Sequence, residues 1–550
     1  MAADVLTRRA RVLVIGTGGA GLRAAIAAVE SGADVLVVGK RGRADAHTVM
    51  AAGGINAALG TVDPEDSWQQ HFADTVRESY GLAHPAVAEI LTREAPAAIQ
   101  ELVDWGCAFA RTPDGKLDQR YFGAHRYRRT CYAGDHTGRD IIEALVRRAE
   151  ALGVPFVEHT HVTRLLVEDG RCAGAFGFDL RTGEQTAFLA DAVVLGTGGH
   201  TSLWHPNTSR TDENWGEGIA LALSAGAELM DMELVQFHPT GLVAPEDIAG
   251  TLVTEAVRGE GGILTNALGE RFMARYDPER MELSTRDRVA LANYTEILEG
   301  RGGPHGGVFL DVSHRGLDHI QERLPKMYRQ LLAFQGVDIS KEPMEVAPTA
   351  HYSMGGIAVE PETHTTTVPG LFAAGECASG LHGANRLGGN SLVDILVFGR
   401  RAGTEAARIA GQGGAGVGGG QAAGAVADAA GELDALLAAG EGSPKELQDT
   451  LRSLMWERCG VVRTEAGLLV CLEELAGLTE ASGAMGVGGD GERWNRLAHG
   501  MDLRSGLMTA EATVRGALAR RETRGAHNRS DFPALDPALT VNFRQRLGEE

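Results

Sequence analysis

An α/β fold is predicted by three features of the chain. Two apolar strands each run straight into a glycine-rich turn: Arg11 to Ile15 before Gly16-Thr17-Gly18-Gly19-Ala20-Gly21, and Ala192 to Leu195 before Gly196-Thr197-Gly198-Gly199. Strand and helix signals then alternate through much of the chain, the order that builds a parallel sheet covered by helices. Helical periodicity alone continues towards the C-terminus, from Val426 to Ala439, Pro444 to Leu475 and Arg493 to Arg521. At about 100 to 200 residues per domain, 550 residues make two to four domains with sizeable cores.

The first turn has GxGxxG spacing in the context that gives it meaning, with the alanine-rich helix Leu22 to Ser31 after it and a second strand at Val35 to Val38. In such a Rossmann-like unit Gly16 turns the chain, Gly18 admits a pyrophosphate, and Gly21 lets the helix pack closely. Gly19 and Ala20 complete the loop at the helix N-terminus. The acidic residue expected at the end of the second strand of a nicotinamide site is missing, because Gly39-Lys40 stands there. The second strand-and-glycine pattern, at 192–199, suits a two-part dinucleotide domain whose chain returns under the cofactor.

Bulk properties exclude several classes. A net charge of −21 argues against general nucleic-acid affinity, so an anionic substrate needs a locally cationic pocket. No apolar run approaches the ~20 residues that span a bilayer. The N-terminal apolar run is short and flows into the glycine turn without a cleavage pattern, so no signal peptide is expected. The six cysteines form no CxxC pair. Neither a metal site nor an iron–sulfur cluster is expected in this chain, and scattered thiols suit a reducing compartment.

Along the chain, Arg43 to Leu59 is a loop with His47-Thr48 ahead of the small residues Ala51-Ala52-Gly53-Gly54; alone, His47 reads as a turn cap. Residues 61–190 begin helical, with Trp68, Phe72, Val87, Ile90, Leu91, Ile99, Leu102 and Val103 at amphipathic intervals. Strands follow at Val154 to His159 and Val162 to Glu168, and the intervening His125 to His136 segment reads as a solvated charged surface. Glu217 opens a helix, where an acid suits the dipole. Glu255 and Arg258, three apart, share one face of a turn, and Ser284 or Thr285 is placed to cap the helix that follows. Val368 to Glu376 reads as a turn and a buried strand. The polar, glycine-loosened run from His382 to Ser391 then leads into a helix from Leu392 to Arg401. Residues 411–425 are a Gly/Ala-rich linker.

The motifs GTGGAG, AHTVMAAGGINAALG, QFHPTGL, TEAVRGEGG, STRDRV, HYSMGG, AAGE and HGANRLGGNSLVD occur together and in order over nearly the whole chain. In this it resembles the flavoprotein subunit of succinate dehydrogenase and fumarate reductase. The resemblance implies a Rossmann-like FAD-binding domain (1–235 and 351–408) interrupted by an α+β capping domain (236–350). A linker (409–425), a helical domain (426–530) and a tail (531–550), shorter than members commonly have, complete it. It also implies FAD joined covalently to His47. Cofactor contacts are expected from Gly16, Gly18, Gly19, Ala20, Gly21, Lys40, Thr48, Ala52, Gly53, Gly54, Glu217, Glu376, Ser391 and Leu392. His238, Thr254, His351 and Arg386 match substrate contacts, Arg386 as a planar fork for a carboxylate. Arg286 matches the residue that exchanges a proton with substrate, and Glu255 with Arg258 its relay.

The implied reaction moves a hydride between succinate and flavin N5 and a proton between the neighbouring carbon and Arg286, in either direction. With no cluster ligands of its own, the chain is expected to pass electrons to an iron–sulfur subunit. Through that partner and a membrane anchor it would reach quinone, peripherally at the cytoplasmic side of the inner membrane. L-aspartate oxidase shares the fold, but His47 and the sequence after Arg386 point away from it. A soluble fumarate reductase using thiols or another reduced carrier stands as a further alternative.

Overall fold

The computed structural model describes residues 5–245, 248–412, 423–437, 442–487 and 493–548. Among them, β1 (Leu6–Ile15), β2 (Val35–Val38), β3 (Phe156–Val157), β4 (Thr160–Glu168), β5 (Arg171–Asp179), β6 (Gln185–Leu195) and the short strand Leu371–Ala373 form a seven-stranded sheet. Its order is β3-β2-β1-β6-β5-β4, with Leu371–Ala373 pairing the end of β6. Val14 of β1 stands between Val37 and Val194 in parallel register. Val12 to Ile15 are at most 5% exposed, which is why this strand needs an unbroken apolar run. The strand begins five residues earlier than its apolar part, because Leu6 to Ala10 pair with Thr186 to Ala190 and hold polar residues in register. The predicted second strand coincides with the observed one, and α1 (Gly19–Glu30) starts three residues before the predicted helix.

A four-stranded antiparallel sheet follows, formed by β7 (Val235–Leu242), β8 (Ile263–Thr265), β9 (Val308–Asp311) and β10 (Met344–Ser353) in the order β7-β10-β9-β8. α2 (Arg286–Glu296) packs against β7. Neither proposed hydroxyl caps it: Ser284 donates instead to Asp277 Oδ2 at 2.6 Å, and Thr285 Oγ1 is buried without a partner.

The chain then returns to the first sheet. α3 (Asn390–Gly411) packs along α1, where a Cβ at Gly403 would lie 2.1 Å from the Ala24 carbonyl oxygen. Only a glycine lets the two backbones approach this closely. α3 runs ten residues beyond the predicted end and α4 (Ala423–Leu437) begins inside the predicted linker. Residues 413–422 of that linker lie outside the described residues.

The single periodic stretch from Pro444 to Leu475 is two helices, α5 (Pro444–Cys459) and α6 (Glu465–Gly483). Gly460 ends the first, and Thr464 caps the second by accepting from Gly467 N. α7 (Arg493–Ala519) packs against both. No helix among the described residues is long and apolar enough to cross a membrane. The His125 to His136 segment is not a solvated face throughout. Arg129 is buried between Asp66 and Asp74, and His125 bonds the Gly388 carbonyl at 2.9 Å. Arg126 and Arg128 do face solvent.

Candidate active site

One cavity joins the glycine turn at the C-terminal end of β1 to the inner face of the second sheet, with about 1830 Å³ of atom-free space including its mouth. At its first end Gly16 has φ +116°, and a Cβ there would lie 2.2 Å from the Gly196 carbonyl oxygen. Gly18 precedes α1 without a side-chain cap, and a Cβ on it would meet nothing nearer than Ala46 and Thr48 at 3.6 Å. Gly19 donates its amide to Thr48 Oγ1 at 3.2 Å, tying the two predicted cofactor stretches together. Gly16, Gly18, Gly19, Ala20, Lys40, Thr48, Ala52, Gly53, Gly54, Glu217, Glu376, Ser391 and Leu392 all line the cavity.

Gly21 does not. A Cβ there would lie 2.0 Å from the Gly16 carbonyl oxygen, so its part is to seat α1 on the turn rather than to meet a ligand.

Lys40 Nζ sits 3.1 Å from Glu217 Oε1 and 2.7 Å from Asp502 Oδ1, the latter delivered by α7. Burial works against its charge, but the two carboxylates outweigh this and raise its pKa. Asp502 also meets His161 Nε2 at 3.0 Å, and His161 lines the same end of the cavity. Midway along the cavity, His47 lies at the start of a short 3₁₀ turn, His47–Met50, with Nδ1 3.0 Å from Glu213 Oε1.

At the far end Arg286, Glu255, Arg386, His238 and His351 converge. Arg286 Nε donates to Glu255 Oε2 at 2.8 Å, and Arg258 stands behind the same carboxylate oxygen at 3.9 Å. Burial opposes ionisation of Glu255, but Arg286 and Arg258 hold its pKa down to about 2. Glu255 and Arg258 are therefore no surface pair: they are 6% and 1% exposed. Arg258 itself does not line the cavity.

Arg386 lies over the Tyr352 ring, 4.2 Å from its centroid, and donates to Ser391 Oγ at 3.2 Å. Burial, then Arg286, pushes its pKa down to about 10, and its Nε is buried without a partner. His238 and His351 meet edge to face with ring centroids 5.2 Å apart. Burial leads in depressing both well below the ordinary histidine range, so both rings are neutral near pH 7. The Thr240 amide donates to His238 Nδ1 at 3.3 Å, which places the ring proton on Nε2. Thr254 lines this end as well.

The sequence matches the FAD binding domain family over residues 11–392 and the fumarate reductase flavoprotein C-terminal family over residues 448–545. The chain belongs to the succinate dehydrogenase and fumarate reductase flavoprotein family. It is 46% identical to a fumarate reductase (CoM/CoB) subunit of Methanothermobacter marburgensis, covering 96% of this chain and 95% of that one. It is 38% identical to the succinate dehydrogenase flavoprotein subunit of Rickettsia bellii, over 96% and 91%. Among solved structures, Mycobacterium smegmatis Sdh1 in complex with UQ1 superposes with a TM-score of 0.89 at 42% identity, covering 99% of this chain and 93% of that one. The FrdA chain of E. coli quinol fumarate reductase gives 0.92 at 36% identity, over 97% and 94%.

The residues present fit the FAD that this family binds. An uncapped helix N-terminus behind side-chain-free glycines suits a pyrophosphate, and the cavity beyond it is long enough to carry a ligand from Lys40 to the arginines. Sequence reasoning missed Gln236, Tyr352 and Glu213. Gln236 Oε1 accepts from Arg386 Nη2 at 3.0 Å and Arg286 Nη1 at 3.3 Å, so one amide orients both guanidiniums. Its position two residues before His238, in the QFHPTGL motif, was the available signal. Tyr352 had one too, beside His351, whereas Glu213 stands in no motif.

Proposed function

We propose that the protein is the flavoprotein subunit of an oxidoreductase that interconverts succinate and fumarate. The observation that carries this reading is the convergence of Arg286, Arg386, His238 and His351 on the cavity that begins at the glycine turn. A bound flavin supplies the two-electron centre that exchanges hydride with the substrate carbon. Arg386 clamps one carboxylate of the diacid through its fork, while neutral His238, with its Nε2–H, His351 and Thr254 receive the other. Arg286 exchanges the proton at the neighbouring carbon. An arginine is a poor acid or base in water, so the role requires a closed site and a resupply path. Glu255, ionised and bonded to Arg286 Nε, is the first member of that path and Arg258 the second.

We further propose that His47 carries FAD covalently, and that the unit boundaries lie near residues 235, 350, 408 and 426. Electrons pass through an iron–sulfur subunit to quinone at a membrane anchor, with this chain peripheral on the cytoplasmic side. The relative named for CoM/CoB supports a second reading, a fumarate reductase driven by thiols. Purification of the native assembly separates the two. An iron–sulfur subunit with succinate-driven quinone reduction supports the first; thiol-driven fumarate reduction without quinone activity supports the second. Failure to turn over either dicarboxylate with any donor or acceptor would sink both.

A further inference from the structure

We propose that Glu213 is the positioning residue for flavin attachment at His47, fixing the tautomer of the ring and balancing the charge that attachment creates. The inference rests on the reading of His47 as the attachment site. Nδ1 of His47 and Oε1 of Glu213 are 3.0 Å apart, and the Glu213 side chain is only 11% exposed. A carboxylate facing Nδ1 keeps the proton there, which leaves the lone pair on Nε2, the nitrogen turned away from Glu213. Only an unprotonated Nε2 is a nucleophile. Once it bonds to carbon the ring becomes an imidazolium, and the adjacent carboxylate stabilises that cation, as a carboxylate behind a catalytic histidine does.

The surroundings leave Glu213 available for this. Arg210 donates its guanidinium to Asp45 Oδ1 at 2.7 Å and brings it only to 3.9 Å from Glu213 Oε1, which also accepts the Arg210 backbone amide at 3.4 Å. Arg41 pairs with Asp45 and Asp212. The helix Thr137–Ala151 packs on the His47 turn, but His136 and Asp140 there pair with each other. Nor does Glu213 cap the helix Glu217–Ser224, which has no side-chain cap. Burial would lower the pKa of His47, and Arg210 also lowers it. Glu213 and, more distantly, Glu376 outweigh them and raise it, while His351 across the cavity is neutral.

The atoms balance against the proposed substrate. Nε2 supplies the pair for the new N–C bond, the flavin methyl carbon loses one proton, and Nδ1 keeps its own, held by Glu213. The two electrons released, with that methyl proton and one from solvent, reduce one fumarate to succinate.

The experiment loads wild type, Glu213→Gln, Glu213→Asp and the neighbouring control Asp212→Asn with FAD and fumarate. It reads flavin fluorescence on the polypeptide after acid denaturation, alongside native flavin content. Wild type and D212N are expected to hold flavin through denaturation. E213Q should bind FAD natively but retain at least tenfold less after denaturation, with E213D partly restored. The pH midpoint of the attachment rate should also shift downwards in E213Q, because His47 loses the partner that raises its pKa; a purely structural role would leave that midpoint in place. Attachment in E213Q at the wild-type extent and pH midpoint overturns this inference alone. Absence of attachment in wild type overturns the His47 reading and this inference with it. Should E213Q fail to bind FAD natively, E213D decides: retention below that of wild type with a shifted midpoint supports the role, and an unchanged midpoint overturns it.

Discussion

Two groups of buried arginines invite comparison. Where the C-terminal region meets β7, Arg520 bonds Glu233 Oε1 at 2.6 Å, Glu522 Oε1 at 3.2 Å and Asp231 Oδ1 at 3.3 Å, and Arg524 shares Glu522 at 2.7 Å. These cations are enclosed by carboxylates. At the end of the cavity, Arg286 and Arg258 meet one ionised carboxylate, Glu255, while Arg386 is joined to Arg286 through Gln236 and keeps a buried donor unmade. An uncompensated buried cation is costly, and proteins keep such sites for a reason outside stability. The first group matches its cations with its own carboxylates, although Glu233 Oε2 is buried without a partner; the second is short of negative charge by about what a dicarboxylate brings.

The sharpest way to break the comparison is Arg286→Gln. If the cavity arginines serve chemistry, turnover should fall by about 10³-fold or more while flavin stays bound, read by steady-state kinetics and the flavin spectrum. Normal turnover would remove the proton role. Stability should sort the groups the opposite way. Arg520→Met strands buried Glu233 and Glu522 and is expected to cost about 3–5 kcal/mol by denaturant unfolding. Arg386→Met relieves crowding between cations and should leave stability unchanged or slightly higher. The same R386M change should weaken dicarboxylate binding about 100-fold, seen as loss of the thermal shift that malonate gives to wild type. An equal destabilisation by R386M and R520M would erase the distinction.

A smaller effect concerns the histidines. Burial leads in depressing His238, His351 and, beside the other cluster, His527 well below their ordinary pKa. Each is neutral in the fold and takes a proton only when unfolded, so each contributes stability that is present above about pH 6.5 and lost as pH falls below it. His351→Gln should flatten that acid slope by up to about 1.4 kcal/mol per pH unit, measured as unfolding free energy between pH 6.5 and 5.

How much of this was legible before the structure depends on which residues carried a local signal. The glycine turn was readable because its spacing, strand and helix all lie within thirty residues, and β2 came out as expected. That residues 238, 286, 351 and 386 share one cavity was readable only through the family motifs, since nothing local says that they meet. The motif gave Gly21 the part of packing the helix, as its contact with Gly16 shows, whereas the family resemblance had counted it among the cofactor contacts. The charged stretch around Arg129 looked solvated because its partners, Asp66 and Asp74, lie about sixty residues upstream. Helix ends were missed where a cap decides them, as at Gly460 and Thr464. Gln236, with no charge to draw attention, turned out to link the two arginines.

The contact between Lys40 and Asp502 bears on how the molecule is made. The first strands leave the ribosome early, yet the lysine beside them receives its second carboxylate from a residue more than 460 positions later. A nascent chain can shape the glycine turn long before it can finish the wall around it. Loading of the prosthetic group therefore belongs to the end of biogenesis, and a truncation that spares every glycine but removes the last long helix should yield a colourless protein.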